Sequence, residues 1–217
     1  MKSSKKIVIS LILLAFIILL IFLTLTFRKT FILNQLCNAS KNYVNSSNVC
    51  RTIYSYYQNE YTSTKIYSLN NKHLIESTKL VDNVPTTSKV FAENGQIVSK
   101  YSETSNKYEK VNSNQPITIV FTSPISFDNY FALFISAIKT SISSTECNGK
   151  ECYVVRNFNS SNNVNTTDYY IDKETGLLIR SISSDIIASN KATSSLPIYD
   201  YSYEFDIVSE NHFAEVK

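Results

Sequence analysis

Four cysteines, two histidines and one small group of carboxylates are the residues of this chain whose chemistry goes beyond packing. Cys147 and Cys152 flank Asn-Gly-Lys-Glu, and Cys37 and Cys50 lie far upstream. Four cysteines allow three disulfide pairings, and sequence alone does not choose among them. The pairing ranked first joins Cys147 to Cys152 across a short loop between opposed strand positions, with Cys37 to Cys50 as the second bridge. There is no Cys-x-x-Cys, which argues against a redox-active pair, and the spacing with so little histidine argues against zinc. His73 and His212 belong to no motif, and a triad needs a nucleophile, a base and an orienting group. Asp168, Asp172 and Glu174 gather near one hairpin end and read as a solvated turn. No phosphate loop, His-Glu-x-x-His or EF-hand loop is present. The expectation is a protein that is not an enzyme, with no catalytic residues, no cofactor and no metal.

The elements that carry these residues begin with an apolar run. Ile7 to Phe27 contains no charge, glycine or proline. As a helix its length is about 31 Å, the thickness of a bilayer's hydrocarbon core. A cleaved signal peptide is the rival reading, but its apolar region is shorter and ends in small residues. Here "RKTFILNQLCNAS" follows, and Leu36 stands where a lipobox around Cys37 needs a small residue. The organisation expected is a cytoplasmic tail at 1–6, a transmembrane anchor at 7–27, a juxtamembrane linker at 28–40 and an extracytoplasmic domain at 41–217. Lysines 2, 5 and 6 precede the run and Arg28 and Lys29 follow it, so charge sets orientation only weakly. The cysteines, read as disulfides, place the C-terminal domain in an oxidising compartment and the N-terminus in the cytoplasm.

The formal charge of +3 is carried by the flanks of that run. Positions 1–29 hold five basic and no acidic residues, and the remainder is mildly acidic with interspersed signs. No basic run suited to a phosphate backbone occurs, so nucleic acid is not an expected partner.

Tyr43, Cys50, Ile53, Tyr54, Tyr57 and Tyr61 fall close to one helical face, which predicts a helix from near Asn45 or Asn48 to near Glu60. From Thr62 the period is two. Hairpins are expected around Asn70-Asn71, Asn94-Gly95 and Asn148-Gly149, and a longer turn at "DKETGL" with Gly176 at a left-handed position. A short strand is expected in "QPITIVFTSP". Between these lies "SFDNYFALFISAIKTSIS", where Phe127, Phe131, Phe134, Ile138 and Ile142 form one helical stripe, widened by Tyr130 and Ile135. Ser126 or Asp128 would cap it. "IYDYSYEFDIVS" alternates strictly, with Tyr199, Tyr201, Tyr203, Phe205 and Ile207 on one side. The fold class is α+β: an N-terminal transmembrane helix, then a curved antiparallel β-sheet forming an incomplete barrel, with helices on its concave face.

The phrases "CNGKECYVV" and "DYYIDKETGLLIR", taken with the order of elements, resemble the outer-membrane lipoprotein carrier (LolA/LolB-like) half-barrel superfamily. The matching positions are Gly149, Lys150 and Tyr153, then Asp172, Lys173, Thr175, Gly176 and Leu177. The resemblance covers about residues 41–210 and implies a half-barrel with an apolar concave surface under a helix, able to admit an acyl chain or a partner's peptide. Members that shuttle lipoproteins are soluble, whereas this chain reads as tethered, so transport is not carried over. The body's arginines, Arg51, Arg156 and Arg180, match no family motif.

The function expected from residues and resemblance together is a single-pass extracytoplasmic binding module in the cell membrane. It would take a hydrophobic or lipid ligand, or an envelope protein or lipoprotein. Tyr130, Phe131, Phe134, Ile138, Tyr201, Tyr203 and Phe205 are the ligand-facing candidates. The alternative is a structural or sensory envelope protein that works through protein–protein contacts and takes no small ligand.

Overall fold

Helix α1 (Lys2–Val44) runs through 43 residues without a break. This computed structural model describes residues 2–44, 46–57, 60–81, 84–111, 116–117, 127, 129–158, 165–185 and 198–216. Among the described residues α1 is the one helix long and apolar enough to cross a membrane. Its side chains are exposed from Ile7 to Phe22. From Thr26 onward a buried stripe develops, comprising Thr26, Thr30, Leu33, Leu36 and Ser40. That spacing of three and four keeps one helical face turned inward. The Thr26 and Thr30 hydroxyls donate to the carbonyls of Phe22 and Thr26, which satisfies them inside the packed stripe. Residues 28–40, expected as a linker, therefore belong to the same helix and to the core of the domain.

Among the described residues eleven strands follow in one antiparallel sheet: β1 (Asn48–Tyr57), β2 (Glu60–Leu69), β3 (Lys72–Val81), β4 (Val84–Glu93), β5 (Gln96–Ser102), β6 (Lys107–Lys110), β7 (Ser141–Cys147), β8 (Lys150–Phe158), β9 (Asn165–Asp172), β10 (Leu178–Asp185) and β11 (Ile198–Phe205). Helix α2 (Tyr130–Lys139) is inserted between β6 and β7. The spatial order is β6-β5-β4-β3-β2-β1-β11-β10-β9-β8-β7, so β11 closes the two meanders together by pairing with β1 and β10. The ends do not meet, which makes the sheet an incomplete barrel of the kind the resemblance implied. Register irregularities at Leu178/Arg180 and Phe91/Ala92 help bend it. Edge strand β6 is short and carries two lysines, which discourages further pairing. Edge strand β7 carries Ser141, Ser143, Ser144, Thr145 and Glu146 exposed.

Alternation sorts the strands onto two faces. On the inner face Val155, Ile171 and Leu178 pack with Leu33 and Leu36 of α1 and Leu133 and Ala137 of α2, flanked by Tyr153, Tyr169 and Tyr201. On the outer face Cys50, Leu74 and Phe91 are covered by Val208 and Phe213 of the C-terminal 3-10 segment Glu210–Val216. The Asn48 side-chain amide acts as a surrogate strand for that segment: its Nδ2 donates to the Val208 carbonyl, and its Oδ1 accepts from the Val208 N–H, both at 2.9 Å.

Among the described residues the strand reading of 62–110 and 146–205 is met by the structure, including the three Asn-led turns. Asn70, Asn94 and Asn148 all have positive φ, as left-handed turn residues require. Three expectations are corrected. Ile142, expected on the helical stripe, lies in β7, opposite Val155 of β8. The helix expected between Asn45 and Glu60 is strand β1, because β2 and β11 pair with it along its length. Its aromatic spacing fits a helix in isolation, but pairing on both sides overrides that preference. The stripe expected to bury α2 is also displaced. Leu133 and Ala137 are the buried residues of α2, whereas Phe131 is 73% exposed and Tyr130, Ile135 and Ile138 are exposed too. The cap is Asn129, whose side chain accepts from the Ala132 N–H at 2.8 Å. The strand expected in "QPITIVFTSP" lies largely outside the described residues.

Gly176 decides where α1 can lie. Its φ is +68°, and a Cβ there would stand 2.3 Å from the Leu36 carbonyl oxygen and 2.8 Å from the Ser40 nitrogen. Only a glycine lets the β9–β10 turn meet helix backbone so closely. A Cβ on Gly149 would meet open space, so substitution there carries conformational strain alone. Gly149→Ala is expected to cost about 1–2 kcal/mol, and Gly176→Ala at least about 3 kcal/mol. Urea titration of the full chain in detergent micelles checks this, and equal losses would remove the close-approach argument.

Candidate ligand cleft

The turn that seats α1 is built around a buried acid. Asp172 Oδ1 accepts from the Glu174 N–H at 3.0 Å. Its Oδ2 accepts from the Thr175 hydroxyl at 2.9 Å and from Lys150 Nζ at 3.2 Å. Burial by itself would raise the Asp172 carboxyl, but these donors outweigh it and hold the group below the usual carboxylate range. The Gly176 N–H closes the turn onto the Asp172 carbonyl at 2.9 Å. Asp172 is thus a structural anchor rather than a free cation ligand.

Beside this turn two hollows share a wall. One, of about 560 Å³, is polar and open, lined by residues of the β7–β8 and β9–β10 turns, among them Lys150, Asp172, Lys173 and Glu174. The other, of about 470 Å³, is aromatic and apolar. Tyr43 at the end of α1 forms one side, Leu177 and Ile179 another, and Tyr201, Tyr203 and Phe205 of β11 a third. Lys150 and Thr175 belong to both hollows. The Tyr43 and Phe205 rings meet at 5.1 Å, and Tyr203 stacks on Phe205 at 6.4 Å. The polar hollow holds both signs of charge, with Lys150 on Asp172 and Lys173 on Glu151, so it has no preference for an anion.

Below the cleft the wall becomes ionic and phenolic. Arg51 on β1 faces Tyr203 on β11 in register and is buried. Burial lowers the Arg51 guanidinium, an effect the nearby Tyr203 and Tyr201 oppose. Burial pushes the Tyr203 phenol up to about 12, though Arg51 pulls the other way. Tyr201 and Ser181 approach hydroxyl to hydroxyl at 3.4 Å. The two remaining arginines of the body lie on the outer face in paired cross-strand positions, Arg156 with Asp168 and Arg180 with Asp200.

The structure therefore separates the expected ligand-facing residues. Tyr201, Tyr203 and Phe205 line the aromatic cleft together with Tyr43, Leu177 and Ile179, which sequence reasoning missed. Tyr130, Phe131, Phe134 and Ile138 do not line it: Phe134 meets Phe27 of α1 at 5.2 Å, and the other three are exposed. The continuation of α1 to Val44 brings Tyr43 to β11.

The disulfide expectation is also corrected, for all four cysteines are free. The two-residue turn sets Cys147 opposite Lys150 and Cys152 opposite Thr145, so neither cysteine faces the other directly. Cys37 lies with the inner cluster and Cys50 in the outer one, so the sheet separates them. Burial, with Cys147 nearby, pushes the Cys152 thiol up to about 11. With no disulfide, the cysteines give no indication of an oxidising compartment. The imidazoles are likewise apart. His73 pairs with Ser68 at 3.0 Å, and His212 binds Ser209 and lies over Tyr67, whose side chain alternates to the opposite face from Ser68. Among the described residues no cluster of three His, Cys, Asp or Glu side chains could hold a metal.

No protein-family profile and no curated protein matches the chain. Its shape is similar to that of MucB. A crystal structure of MucB is 11% identical with a TM-score of 0.49, covering 87% of this chain and 64% of that one. The MucA/MucB complex from Pseudomonas aeruginosa gives 10% identity and a TM-score of 0.48 over 85% and 60%. A LolA-superfamily protein from Nitrosomonas europaea gives 8% identity and a TM-score of 0.34 over 83% and 96%. The chain spans about three fifths of the length of the MucB chains.

Two outcomes are expected. Unfolding the full chain without reductant should expose four alkylatable thiols; two or none would restore a bridge. Asp172 is ionised in the fold at neutral pH and has a depressed pKa, so its stabilisation is present above the unfolded value near 4. It is lost as pH falls through the lower folded value. Asp172→Asn should cost about 1–3 kcal/mol at pH 7 and flatten the loss of stability as pH falls below the unfolded value near 4. A denaturation series across that range measures it, and an unchanged slope would count against the assignment.

Proposed function

We propose that this chain is a single-pass membrane protein, anchored by α1 with its N-terminus in the cytoplasm, whose extracytoplasmic half-barrel binds an apolar segment in the aromatic cleft between α1 and β11. The cleft itself carries the reading: about 470 Å³ of apolar and aromatic lining with one polar wall is the size and character of a small-ligand site. The inner face of β8–β10 is not available in the same way, because α1 and α2 cover it with Leu33, Leu36, Leu133 and Ala137.

Position narrows the ligand. Tyr43 lies 16 residues beyond Phe27, about 24 Å along the helix axis. A phospholipid whose tails stay in the leaflet does not reach that height. The ligand that fits is an acyl chain or apolar peptide presented above the bilayer, as on an envelope lipoprotein. The reading is one of binding, and neither His73 nor His212 lines the cleft. A protein–protein module with no small ligand is the second reading, favoured by the place of β7 at the edge of the sheet, where a partner's strand could add to it.

A diazirine-bearing diacyl lipopeptide, photolysed with the full chain in nanodiscs, tests the first reading. Label is expected on Tyr43 and residues 201–205, reduced at least fivefold by Phe205→Asp. Label confined to residues 7–27 would remove the cleft reading. A photo-crosslinking residue at Ser144 that then captured one stoichiometric envelope protein in cells would favour the second.

A further inference from the structure

Helix α2 is apolar on two opposite sides. Leu133 and Ala137 face the core, while Phe131, Ile135 and Ile138, spaced four and three apart, form a second stripe on the far side. A helix apolar nearly all round belongs in an apolar medium on both sides. Phe131, Ile135 and Ile138 are nonetheless exposed, as is the adjacent Tyr130.

The position of α2 along α1 identifies what covers that stripe. Phe134 packs on Phe27, the last residue of the apolar run. Lys29 Nζ donates to the Thr140 carbonyl at 2.8 Å, tying the C-terminal cap of α2 to α1 two residues beyond Phe27. Twenty residues of helix cross a hydrocarbon layer of about 30 Å, so a layer entered at Ile7 is left at about Thr26. Thr26 is itself buried by the protein. The domain thus packs on α1 at the level where the helix leaves the hydrocarbon, and α2 lies there. A second feature agrees. The antiparallel order places the β7 end next to Thr140 at the same sheet end as the β1 terminus and the β4 start. Exposed Tyr56, Tyr57 and Val84 occupy those two places. Aromatic residues are enriched at membrane interfaces.

We propose that α2 is an interfacial helix, its Phe131–Ile135–Ile138 stripe immersed in the outer leaflet of the bilayer that α1 crosses, so that the half-barrel sits on the membrane rather than swinging above it. This rests on the reading of α1 as membrane-spanning. The stripe is not a ligand wall: it faces away from the core and shares no residue with the aromatic cleft. The occupant is lipid because the stripe is continuous, through Phe27 and Phe134, with the apolar surface of α1. Its depth is bounded by Lys29 and Lys139, whose ammonium groups belong at the headgroup level.

The chain contains no tryptophan, so one introduced tryptophan is a unique reporter. Full-length Phe131→Trp and Ile135→Trp, reconstituted in liposomes, should show blue-shifted emission. Quenching should be at least twofold with lipids brominated high on the acyl chain and weaker with lipids brominated near its end. Phe16→Trp, in the middle of α1, should be quenched best by the deep bromines. If Phe16→Trp is quenched and neither α2 reporter responds, the interfacial helix is wrong and the anchor stands. If Phe16→Trp also fails to respond, the membrane-spanning reading falls and the proposal with it. Two α2 positions guard against one variant that misfolds, which an altered circular dichroism spectrum identifies.

Discussion

The close approach of helix backbone to the β9–β10 turn is the constraint on which the remaining architecture depends. A turn residue with a side chain would push α1 away from the sheet at Leu36 and Ser40. Leu33 and Leu36 would then lose the inner-face partners that bury them almost completely. Close packing is steep in distance, so a displacement of one ångström forfeits a large part of the dispersion energy at each contact. The buried Asp172 makes the approach possible by holding the turn shut through three donors, one of them a cation. A single hairpin therefore joins the sheet, the long helix and the aromatic cleft beside it.

Polar groups are distributed in keeping with that centre. Bidentate arginine pairs sit on the outer face, where exposed geometry contributes little stability but fixes register across β8–β9 and β10–β11. The inner face admits few ionic groups, and Arg51 is the buried exception, lying against the phenols of β11. The outer clusters are small, and the C-terminal segment covers the larger one like a lid stitched down by Asn48. The molecule is thus one principal core between helix and sheet, with satellite packing behind it.

Much of this was legible in the sequence. The three glycines and the Asn-led turns located the hairpins, because positive φ restricts the residue types that can occupy them. The strict alternation of residues 198–207 located β11 and its aromatic side, and three of its residues line the cleft. What was not legible arises from long-range packing. Residues 28–44 carry a recognisable stripe in Thr30, Leu33, Leu36 and Ser40, but mixed threonine, leucine and serine look like a linker until a sheet is known to lie against them. Misplacing that helix displaced the rest. With α1 absent from the core, the Phe131 stripe was the only apolar helix face available to fill it, and Tyr43 had no reason to meet Phe205. The cysteines misled for a related reason, since their spacing in sequence carries no record of the face of the sheet on which each falls.

The unbroken course of α1 has a mechanical consequence. It contains neither glycine nor proline from its apolar run to its packing on the sheet, the residues at which helices usually bend. Each residue of helix turns whatever follows by 100° and advances it 1.5 Å. One amino acid inserted between Phe27 and Thr30 would therefore revolve the sheet by more than a quarter turn relative to the preceding shaft. The azimuth of the aromatic cleft is set by counting residues along a rod, and any tilt of that rod is transmitted to the cleft undamped.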